Sequence, residues 1–144
     1  MIKVSITNKM RDFARKESAR REPFIKHHFN ISHFSNEERN MVGFLGEFAC
    51  CELFNTDWES NIRKDYLTID DFDLIHKSKK IDVKTETIPR TVLQRLVSGQ
   101  IGDNQLYGRR LINKGQVSLL NKYDIAVFRA LDRETMSEWY AIVW

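Results

Sequence analysis

Hydrophobic positions along the chain switch between two periods. Residues 2–7 (IKVSIT) alternate apolar and polar, which predicts a short strand. Residues 8–21 set Met10, Phe13 and Ala14 among basic residues and predict a helix broken near Pro23. The clearest helix is predicted over 36–55. Ser35 followed three residues later by Glu38 is a capping-box pattern. Met41, Phe44, Leu45, Phe48, Ala49 and Cys51 then recur at helical spacing. Gly43 and Gly46 each cost about 1 kcal/mol in a helix interior. Their presence predicts close approach to a neighbouring sheet.

The period then returns to two. Residues 66–76 predict a strand with a break or bulge in its acidic middle, and 77–79 a polar turn. Residues 80–87 predict the partner strand of a hairpin. Ile81 and Val83 lie on one face, and Asp82, Lys84 and Glu86 on the other. Further on, 90–98 reads as a short helix and 99–115, with four of the six glycines, as a mobile loop. A helical turn over 116–121 precedes an apolar strand over 123–131. A last strand over 138–144 follows a turn at 132–136, with Trp139, Tyr140 and Trp144 as core or interface residues. No repeat and no linker divides the chain. The expected fold is α/β: a mixed four- to five-stranded sheet flanked by helices. It forms one domain over 1–144, with a basic helical N-terminal extension over about 1–34.

Composition narrows the class. The 144 residues are 42% hydrophobic and 30% charged, with nine Phe, four Tyr and three Trp, which excludes disordered and low-complexity chains. No apolar run approaches the ~18 residues of a membrane span. The first residues lack the apolar stretch of a secretory signal. Cys50 and Cys51 are sequence neighbours, which rarely bridge, and there is no second pair for a zinc site. These features predict an intracellular, cytoplasmic protein with reduced thiols.

The net charge of +3 hides a pattern. Residues 1–34 carry 8 Lys/Arg against 3 Asp/Glu, 35–75 carry 3 against 10, and 76–122 carry 10 against 3. An acidic centre between basic arms suits a polyanion held around a cation site. Ordinary solvated faces give the same pattern.

The candidate chemistry lies in the hairpin. Alternation puts Asp82 and Lys84 on one face, ~6.5–7 Å apart along the strand. Asp73 lies near the other arm. Carboxylates from two strands make an oxygen-rich pocket suited to Mg²⁺ or Mn²⁺. A lysine beside it can orient a water, help deprotonate it, or neutralise a developing phosphorane. Such a site suits metal-assisted phosphodiester hydrolysis. The alternative for Asp82 and Lys84 is an exposed salt-bridged strand face.

The order Asp71-Phe72-Asp73-Leu74-Ile75, then Ile81-Asp82-Val83-Lys84-Thr85, resembles the PD-(D/E)xK nuclease superfamily. Gly43-Phe44-Leu45-Gly46-Glu47 resembles its upstream helical motif, and Tyr123-Asp124-Ile125-Ala126-Val127-Phe128 the strand that follows its core. The resemblance covers about residues 36–144. It implies a restriction-endonuclease-like core and a Mg²⁺- (or Mn²⁺-) dependent endonuclease acting on DNA. Glu47, Asp73, Asp82 and the Val83 carbonyl would be metal ligands, and Lys84 the catalytic lysine. Phe72 stands where the family pattern has a proline. Asp70 and Asp71 compete with Asp73, which is preferred because it immediately precedes Leu74-Ile75.

Basic residues supply candidate nucleic-acid contacts: Arg11 and Arg15 on the first helix, and Tyr107, Arg109, Arg110 and Lys114 in the glycine-rich loop. DNA is the expected partner, with RNA and a homodimer left open and no membrane. Two rival readings stand: a catalytically silent nucleic-acid-binding protein on the same fold, and a small inhibitor-type interaction protein.

Overall fold

The computed structural model describes residues 2–24, 35–64, 72–100, 107 and 114–141. Their elements are β1 (Ile2–Ser5), α1 (Asn8–Arg21), α2 (Asn36–Leu53), β2 (Leu74–His76), β3 (Lys79–Ile88), α3 (Arg90–Val97), β4 (Ile125–Asp132) and β5 (Glu138–Ala141). Short 3-10 turns occupy Trp58–Asn61 and Lys114–Leu119.

The strands form one sheet in the order β1-β5-β4-β3-β2. β3 and β4 run parallel, from Ile81 opposite Ile125 to Ile88 opposite Asp132. The remaining pairs are antiparallel. A parallel pair needs a crossover connection, and the segment carrying α3 supplies it. The chain is thus a mixed α/β protein.

Helix α2 begins with the expected box. Ser35 Oγ accepts from the Glu38 amide and a Glu38 carboxylate oxygen accepts from the Ser35 amide. It stops at Leu53, two residues before the apolar pattern suggests, because Asn55 adopts φ 53°. The Thr56 amide then donates to Cys51 O and the Asn55 amide to Glu52 O, a Schellman-type end.

Consecutive residues of β4 show how the core divides. Leu131 joins Phe44, Leu45 and Phe48 of α2, Met10 and Ala14 of α1, and Ile81 of β3 in the main core. Ala130 joins Ile88 and Leu93 in a smaller cluster under α3, against which Tyr107 packs. Adjacent strand residues point to opposite faces, so helices cover both sides of the sheet.

Gly46 lets α2 lie on β3. A Cβ there would fall 1.8 Å from Thr85 Oγ1. Gly43 has open space around it, so close approach accounts for only one of the two glycines. Cys50 and Cys51 are free and buried, and burial pushes both thiols up to about 12. Among the described residues, no helix is long and apolar enough to cross a membrane.

Candidate active site

The β2–β3 hairpin sets the site's geometry. Lys77 and Ser78 both take positive φ, 47° and 65°, which lets two residues reverse the chain. Leu74 then pairs opposite Ile81. The Asp73 amide also donates to Ile81 O, at 2.8 Å. Two consecutive residues thus address Ile81, which is a β-bulge pattern, and the regular ladder ends there. The Asp73 side chain takes over from the backbone: its Oδ2 accepts from the Val83 amide at 2.6 Å. Asp73 is therefore fixed beside the Asp82-Val83-Lys84 triplet.

Asp82 and Lys84 lie on one strand face, with Lys84 Nζ 2.7 Å from Asp82 Oδ2. The contact is a close ion pair on a partly buried carboxylate. Burial raises the Asp73 carboxyl above its usual range. The Val83 amide opposes that rise, Asp82 adds to it, and Arg63 and Lys84 oppose it.

Glu47 arrives from the helix side, with only 4% of its surface exposed. Burial, with Asp73 adding, pushes its carboxyl up from 4.5 to about 8 against the pull of Arg63 and Arg21. Arg63 stands between the two acids. Its Nη1 is 2.9 Å from Glu47 Oε2 and its Nη2 is 3.8 Å from Asp73 Oδ1. The loop holding Arg63 is itself braced. Trp58, just before it, is buried against Phe13 and Phe48. Arg20 of α1 donates to Lys64 O at 2.7 Å and is ion-paired to buried Glu17.

Glu47, Asp73, Asp82 and Lys84 are thus connected in series. They are not gathered about one point, and among the described residues no three His, Cys, Asp or Glu side chains form a ready-made metal cage. The donor chemistry nevertheless suits a hard cation. The Asp82 carboxylate is neutralised by Lys84, while burial holds the Asp73 carboxyl above its usual range. Glu47 joins such a set only by exchanging its partner Arg63.

The other predicted contacts fall elsewhere. Arg11 spends its guanidinium on the fold, with Nη1 3.1 Å from Ile6 O and 3.4 Å from Met136 O and Nη2 on Asn8 Oδ1. Arg15 is exposed and pairs with Asp12 at 3.1 Å. Tyr107 packs against the cluster under α3, with the Arg133 guanidinium 5.4 Å from its ring centre. Lys114 is exposed at the start of a 3-10 turn. Asp70, Asp71, Arg109 and Arg110 lie outside the described residues.

Two participants were missed by the sequence reading. Arg63 belongs to no motif, and only the fold brings it across to Glu47 and Asp73. Tyr123 precedes β4, and its phenol is raised by partial burial, then by Asp82 and Asp73, with Lys84 opposing. No family model, curated protein or solved structure matches the chain.

Proposed function

We propose that this chain is a Mg²⁺-dependent endonuclease (Mn²⁺ serving equally) that hydrolyses phosphodiester bonds in DNA in the cytoplasm. Its core would be restriction-endonuclease-like, of the PD-(D/E)xK kind. The observation that carries this reading is the hydrogen bond from the Val83 amide to Asp73. It sets one carboxylate beside the Asp82–Lys84 ion pair.

In this reading Asp73, Asp82 and the Val83 carbonyl would hold the ion, and Glu47 would join them if its partner Arg63 were displaced. Mg²⁺ supplies Lewis-acid activation of water and of the phosphate. Lys84 is partly buried against Asp82, from where it would orient the attacking water or offset charge on the phosphoryl oxygens. The Val83 amide fixes the Asp73 carboxylate in orientation, so Asp73 does not have to reorganise during the reaction. The test is DNA cleavage in Mg²⁺ and in EDTA by the wild-type chain and by Asp82→Ala and Lys84→Ala. Undiminished cleavage by either variant would sink the assignment.

One observation favours the silent, binding-only reading. Arg63 already supplies positive charge between Glu47 and Asp73. A chain that never exchanges this arginine for a metal ion would bind DNA without cutting it. Binding unchanged by EDTA, with no cleavage, identifies that case.

A further inference from the structure

We infer that the tip of the β2–β3 hairpin docks on the phosphate backbone of DNA, with Lys77, Lys79 and Lys80 as its contacts. The inference rests on the nucleic-acid reading above for the identity of the polyanion. All three side chains are exposed. Among the described residues none of the three pairs with a carboxylate, unlike Lys3, Lys9 and Lys84. The acids nearest along the strands are already used. Asp82 is held by Lys84, and Asp124 Oδ2 accepts from the Lys80 backbone amide at 2.8 Å. Ammonium groups left in this way serve phosphates as point charges.

Protection of a sheet edge does not explain them. An edge strand is commonly guarded against further pairing by a lysine of its own. β2 is the outermost strand of the described sheet, and its residues Leu74, Ile75 and His76 include none. The lysines stand in the turn and on β3, which has a neighbour on either side.

The tip is braced on both sides. His76 stacks on Phe54 at the end of α2, with ring centres 4.7 Å apart. The Asp124 amide donates to Lys80 O at 2.8 Å and ties the base of the hairpin to the start of β4. A polyanion arriving here therefore meets a backbone that is already ordered, which lowers the cost of binding.

Register distributes the charge. His76 pairs opposite Lys79, and Ile75 opposite Lys80. Opposed residues share a sheet face and successive residues alternate, so Lys80 lies on the face of Asp82 and Lys84, and Lys79 on the other. Lys80 stands ~6.5–7 Å along the strand from Asp82. Its Nζ is 5.4 Å from the ring centre of Phe72, the residue before Asp73. A backbone held at Lys80 therefore lies against the carboxylate centre, and Lys77 and Lys79 take phosphates further from it.

The test uses the full chain, fluorescein-labelled duplex DNA and fluorescence anisotropy in EDTA across a salt series. Melting temperature is recorded for every protein. A triple variant carrying Lys77→Gln, Lys79→Gln and Lys80→Gln should melt as wild type does. It should bind at least tenfold more weakly at 50 mM salt, with a slope of log affinity against log salt shallower by about 2–3. A control triple, Lys3→Gln, Lys9→Gln and Lys16→Gln, changes the net charge equally and should move the slope by less than about 1. If the hairpin triple does not fold, the Lys77→Gln and Lys79→Gln double variant carries the test, with two-thirds of the slope change. Folded hairpin variants with wild-type affinity and slope overturn the inference, as does an equal loss in the control triple. Wild-type protein that cuts DNA while the hairpin triple binds normally overturns the inference and keeps the nuclease. Wild-type protein that neither binds nor cuts DNA overturns both. Binding that the hairpin triple loses, without cleavage by wild type in Mg²⁺, keeps the docking tip and removes the nuclease.

Discussion

Replacing Glu47 with Gln keeps the size of the side chain and removes its charge at every pH. The wild-type carboxyl is pushed from 4.5 to about 8, chiefly by burial. The folded chain therefore keeps a proton that the unfolded chain has lost. The sign follows from linkage: stability is greatest below about 4.5, falls as pH rises towards 8, and is level above it. At 1.36 kcal/mol per pH unit the loss sums to roughly 5 kcal/mol at most. The amide oxygen introduced by Glu47→Gln would still accept from Arg63, so the variant should match wild type near pH 4 and exceed it by a few kcal/mol at pH 8. Asp73 is raised in the same direction and leaves a residual slope. Urea unfolding at a series of pH values reads this directly. A variant no more stable than wild type at pH 8, or with an undiminished slope, refutes the reasoning. The same proton couples to the metal. Mg²⁺ should stabilise wild type at pH 8 more than at pH 6, and stabilise the Glu47→Gln variant less than wild type at either pH.

The two helix glycines should respond in opposite senses in urea unfolding. Gly43→Ala should stabilise by about 1 kcal/mol, because its space is open. Gly46→Ala should destabilise by ~1–3 kcal/mol through collision with Thr85, and a Thr85→Ala partner should recover part of it. Ser35→Ala removes half of the capping box and should cost about 1 kcal/mol by thermal or urea melting. Cys50 and Cys51 should react with a thiol reagent only as fast as the protein unfolds, because both are buried and held as thiols.

Local signals in the sequence were legible where local physics decides the outcome. The capping box and 3.6-residue period of α2 and the alternation of β3 lie on neighbouring residues, and each element formed within two or three residues of its expected bounds. Helix α1 spans the expected residues 8–21. The end of α2 was misplaced because a left-handed Asn55 carries no periodic signal. The pairing of β3 with β4 is a contact across the intervening α3 segment, and nothing within either strand specifies it. The same distinction separates the site residues. Asp82 and Lys84 sit two apart on one strand, so their shared face could be read directly. Glu47 to Arg63 is a contact made by the fold, and Arg63 lies in a loop without repeat or motif. Arg11 illustrates the same limit: its charge was legible in the sequence, but not the three protein oxygens that its guanidinium meets in the fold.

The most direct measurement is cleavage of supercoiled, linear and branched DNA, with single-stranded RNA alongside, in Mg²⁺, Mn²⁺ and EDTA. Wild type is compared with Asp82→Ala and Lys84→Ala proteins shown to be folded. The account predicts metal-dependent cleavage of DNA that both substitutions reduce by orders of magnitude. Cleavage that survives either substitution, or folded wild-type protein that cuts no substrate in either metal, contradicts it.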